Sequence, residues 1–69
     1  MTPDLREQMV EAQVNHYRAM IDRHRVNIEI LLDHRVGVAE HSDVMETIDV
    51  ELGKMVEYID KLSAINTYF

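Results

Sequence analysis

The sequence predicts an all-α protein, an antiparallel two-helix hairpin that assembles into a homo-oligomeric helical bundle. Three observations predict it. Apolar residues recur in alternating steps of three and four along both halves of the chain. Gly37 separates the two patterns. The first half also carries a second apolar stripe, which a single hairpin partner would leave uncovered.

The first helix is expected over residues 3–35. "TPDL" is a good start: Thr2 is a capping residue type, Pro3 suits the first helical position, and Asp4 suits the positive end of the helix dipole. The seam then runs Val10, Val14, Tyr17, Ile21, His24, Ile28, Leu31, Arg35, a heptad spacing. Gly37 is the expected stop, within a turn over 36–42, and His34 and Arg35 would sit in a last turn that favours cations. The second helix is expected over 43–67, capped by Ser42 or Asp43, with Glu46 three residues beyond Asp43. Its expected seam is Met45, Ile48, Leu52, Met55, Ile59, Leu62, Asn66, Phe69. At 1.5 Å per residue the helices measure about 50 Å and about 37 Å, so the first should overhang the second. The chain reads as one hairpin domain.

Length makes assembly the expected source of stability. A 69-residue chain buries only about 60% of the surface its unfolded form exposes. It has no cysteine, so disulfides and thiolate metal sites are excluded. The second stripe, Leu5, Ala12, Ala19 and Val26 with Ile30 following, recurs every seven residues. Its expected cover is another copy of the chain, in a homodimer or homotetramer. The third face holds Arg18 with Asp22 and Arg25 with Glu29 as i,i+4 pairs on a solvated surface.

Charge restricts the partners. The net charge of −6 argues against DNA or RNA. It is unevenly spread: −2 over residues 1–15, +1 over 16–35, and −5 over 36–69. Only the middle segment, which holds three of the four histidines, welcomes an anion. No apolar run approaches the roughly 20 residues of a membrane span. No signal-peptide pattern follows the start. An intracellular setting is expected.

Several residues stand out. His24 lies within the seam, where a polar side chain either fixes register or senses pH or ligand. Arg23, His16 and Asn27 are expected to project near the second stripe beside Met20. Arg23 has Ala19, Met20, Val26 and Asn27 at its three- and four-residue neighbours, with no acid among them. Such an arginine needs an anion from elsewhere: a neighbouring subunit's carboxylate or a bound phosphate. Glu40, His41 and Asp43 lack the spacing of a known zinc or calcium site. No catalytic triad order or phosphate loop occurs, so neither an enzyme nor a cofactor is expected.

The turn "VGVAEHSD", Val36 to Asp43, with "DKL" at Asp60–Leu62 and "YF" at Tyr68–Phe69, resembles a group of short helical proteins encoded by tailed phages. The shared turn pattern is V-G-[VI]-[AG]-E-H-x-D. The likeness covers the C-terminal half well and the first helix by pattern only. It implies a counter-defence role in the cytoplasm of a host bacterium. One such class, the sponge proteins, sequesters cyclic oligonucleotide immune signals without turnover. Another comprises small helical inhibitors that bind a host protein. The resemblance to both classes is one of size, architecture and context. The leading expectation is therefore a site for a cyclic di- or trinucleotide between subunits. Arg23 would hold a phosphate, His16 and Asn27 would make polar contacts, and Tyr17 or Met20 would offer apolar surface to a base. Arg35, Gly37 and His41 of another subunit would close the site. The alternative is an inhibitor or adaptor that docks on a host protein through its acidic second helix or the overhang of the first.

Overall fold

A computed structural model of the chain describes residues 4–33 and 41–69, with all of their side chains except those of His41 and Ser42. Two helices, α1 (Leu5–Leu32) and α2 (His41–Tyr68), pack antiparallel as a hairpin. Each has 28 residues. Among the described residues neither helix overhangs the other, and at the open end they lie flush: the Arg6 guanidinium donates to the Phe69 carbonyl at 3.0 Å.

The helix ends differ from the sequence expectation for local reasons. Asp4, not Thr2, caps α1: its carboxylate accepts from the Glu7 amide at 2.7 Å, and its carbonyl accepts from the Gln8 amide at 3.1 Å. The helix stops at Leu32, ahead of Gly37, with Asp33 as C-cap in extended backbone and its amide bonded to the Ile30 carbonyl. No cation occupies that last turn, and the expected roles of His34, Arg35 and Gly37 fall outside the described residues. In α2, Asp43 lies inside the first turn rather than at the cap, and its carbonyl accepts the Thr47 hydroxyl at 2.7 Å.

The inner face of α1 consists of Val10, Val14, Tyr17, Ile21, His24, Ile28 and Leu31, flanked by Met20 and Asn27. These are the seam positions expected from the sequence. The inner face of α2 is a correction. It consists of Val44, Ile48, Glu51, Met55, Tyr58, Leu62 and Ile65. Ile48, Met55 and Leu62 are shared with the expected seam. Met45, Leu52, Ile59, Asn66 and Phe69 are exposed instead. Relative to the expected seam, α2 is turned by about 50° on its axis. The physical reason is His24. An imidazole on the facing seam requires a hydrogen-bond acceptor, which Glu51 supplies and Leu52 does not.

The hairpin is one layer thick, with extents of 56 × 20 × 11 Å. Among the described residues no apolar residue is buried, and His24 alone is, at 7% exposure. Hydrophobic residues pack in the seam, yet each keeps an edge in solvent.

Candidate functional site

The centre of the hairpin is a polar cluster. His24 Nδ1 donates to Glu51 Oε2 at 2.5 Å, and the Asn27 amide donates to the same oxygen at 3.2 Å. The Tyr58 ring stacks on His24, with centroids 5.9 Å apart and planes within 13°. Tyr58 also meets His16 edge-on at 6.0 Å and Tyr17 at 6.2 Å. The Lys61 ammonium lies 5.2 Å from the Tyr58 ring centre and 3.0 Å from Glu57. That ion pair raises Lys61 above its ordinary pKa. The Glu51 carboxyl is held below the ordinary glutamate range, first by the hydrogen bond from His24, then by that from Asn27; partial desolvation opposes both. Every buried side-chain nitrogen and oxygen in the described residues has a partner. The cluster therefore specifies which face of α2 meets α1, the register role a polar seam residue can play.

This cluster takes up part of the set singled out in the sequence. Asn27 is turned toward α2 and bonded to Glu51 rather than projecting beside Arg23. Tyr17 is half-buried between the helices, and Gln13 donates to its hydroxyl at 3.1 Å. About 120° of helix separates Tyr17 from Arg23. Met20 is half-buried at the flank of the seam, while His16 and Arg23 are exposed. Arg35 and Gly37 lie outside the described residues, as does the side chain of His41. The hairpin thus presents Arg23, His16 and the edge of Met20 along one flank of α1. Sequence spacing alone missed Glu51 and Tyr58, since neither stands out without knowledge of what His24 faces.

Among the described residues no carboxylate pairs with Arg23, and with Asp22 turned to Arg25 none pairs with Arg18 either. Arg25 takes both neighbouring acids, Asp22 at 3.6 Å and Glu29 at 3.8 Å. The expected Arg18–Asp22 pair is replaced by this arrangement.

Two apolar surfaces face outward. On α1, Leu5, Met9, Val26 and Ile30 are exposed along the outer stripe, with Ala12 and Ala19 between them. On α2, the turn of the helix leaves Met45, Leu52, Val56 and Ile59 between 41% and 68% exposed. A groove of about 390 Å³, sharing Met9 with the α1 stripe, opens between the start of α1 and the end of α2, lined by Met9, Val10, Tyr17, Ala64, Ile65 and Phe69, with Gln13 and Lys61 adding polar groups.

Comparison with known proteins returns no match: no family model, no curated protein and no solved structure. Among the described residues, no cluster of three or more metal-ligating side chains occurs. No described helix is long and apolar enough to cross a membrane.

Proposed function

We propose that this chain acts by binding without turnover, as a phage-type counter-defence protein that sequesters a small anionic nucleotide signal between subunits. The observation that carries the reading is Arg23. Arg23 is exposed on a stripe whose only other polar member is His16, with no carboxylate partner among the described residues. A planar, permanently charged fork in that setting suits a phosphate, which it grips through two parallel hydrogen bonds. His16 and Met20 on the same flank supply a second polar group and an apolar edge for a base. With Asn27 bonded to Glu51, the remaining contacts would come from another subunit. Free signal is lowered and its receptor stays untriggered.

The test is thermal stability against a panel of cyclic di- and trinucleotides. A ligand at 100 times its Kd stabilises the folded state by about 2.7 kcal/mol, so a true ligand gives a clear rise in Tm. Arg23→Ala should abolish that rise while leaving helicity and mass unchanged. No rise with any member of the panel would end the nucleotide reading.

A second reading has its own observation. The exposed stripe Met45, Leu52, Val56 and Ile59 sits on the half of the chain that carries −5. An acidic, apolar helix face suits a host protein with a basic surface. Because the helices are flush at the open end of the hairpin, this docking would use α2 and not an overhang of α1. If the nucleotide panel fails, this reading leads.

A further inference from the structure

The outer surface of α1 is more than a stripe of small residues. Between Leu5 and Ile30, Met9, His16 and Arg23 alternate with Ala12, Ala19 and Val26 in steps of four and three, and all eight positions are exposed. This is a second complete heptad seam, running almost the full 28 residues of the helix. It calls for a partner helix of the same length.

We propose that this partner is α1 of a second copy, docked antiparallel about a two-fold axis level with the Tyr17–Arg18 bond. Reversing the seam on itself about that point sets Leu5 opposite Ile30 and Met9 opposite Val26, apolar on apolar. It sets Ala12 opposite Arg23 and Ala19 opposite His16, a small side chain facing each large one. The alanines admit close approach near the axis, and the Arg23 methylenes cross the Ala12 methyl while the guanidinium emerges at the edge. A parallel pairing stacks Arg23 on Arg23, placing like charges together, and His16 on His16. The outer stripe of α2 is a poorer self-partner, because Asp49 interrupts it in either direction.

Area points the same way. The lone hairpin exposes 5574 Å². A compact monomer of 8.1 kDa exposes about 4,500 Å². The excess of roughly 1,000 Å² is close to the roughly 800 Å² each partner contributes to a standard interface.

This inference shares Arg23 and His16 with the nucleotide reading but is tested without ligand, so an assembled dimer that binds no nucleotide separates the two. The chain has no cysteine, so single replacements report pairing cleanly. Light scattering should give a mass at least twice 8.1 kDa. Under mild oxidation, Met9→Cys and Val26→Cys should each stay uncrosslinked alone and form a mixed disulfide when combined. A monomeric mass overturns the proposal. Crosslinking of Met9→Cys to itself overturns the antiparallel orientation. An oligomer in which no combination crosslinks shows that another face holds it together.

Discussion

Replacing Glu51 with leucine tests whether the polar cluster sets the face that α2 presents. His24 is 7% exposed, so its ring N–H has no route to water once the Glu51 oxygen at 2.5 Å is gone. A buried donor left without an acceptor costs about 1–3 kcal/mol. For a domain of this size, 1 kcal/mol moves Tm by about 4–8 °C, so Glu51→Leu should melt well below the parent. The single value is not decisive, since leucine adds apolar contact of its own. A double-mutant cycle is. His24→Leu/Glu51→Leu replaces both partners with apolar groups of similar size, which is nearly neutral or stabilising where either single change is not. The expected coupling is about 1–3 kcal/mol, read by circular dichroism melts at one fixed protein concentration, because the proposed assembly would make Tm depend on concentration. Additivity within about 0.5 kcal/mol would refute the account. In that event α2 would be turned by apolar packing alone.

The same carboxylate makes a pH prediction. Its folded-state pKa lies below the ordinary value of 4.5, so its stabilisation is complete above that pH and is lost as pH falls through the folded value. Glu51→Gln should flatten stability in that acid window, and an unchanged acid limb would contradict the assignment. Asp4→Ala removes the cap on the Glu7 amide and should cost about 1 kcal/mol, seen as a lower Tm with fraying at the start of α1 in hydrogen exchange. Gly53→Ala meets open space, with nothing within 4 Å of the added Cβ. It should stabilise α2 by about 0.5–1 kcal/mol, and a loss of assembly instead would mean that a partner helix passes over Gly53.

Helix 1 was readable in full at its inner face. Val10 through Leu31 recur at heptad spacing, and all seven face α2, because an amphipathic helix has one low-energy way to hide such a seam. Helix 2 was half readable. Ile48, Met55 and Leu62 are inward in either reading, but each lies between two candidate neighbours. Val44 competes with Met45 and Tyr58 with Ile59, and periodicity weighs both sides nearly alike, whereas hydrophobicity favours Ile65 over the Asn66 that strict 3–4 spacing selects. Glu51 against Leu52 is the pair in which hydrophobicity points the wrong way. His24, from the other helix, reverses it, since a hydrogen bond to a buried imidazole outweighs the exposure of one leucine edge. The candidate site divides along the same line. That Arg23 lacks a local acid is a property of its neighbours three and four residues away, and spacing displays it. That Asn27 is drawn to Glu51 while Arg23 is not depends on how α2 turns about its axis, which local periodicity does not encode.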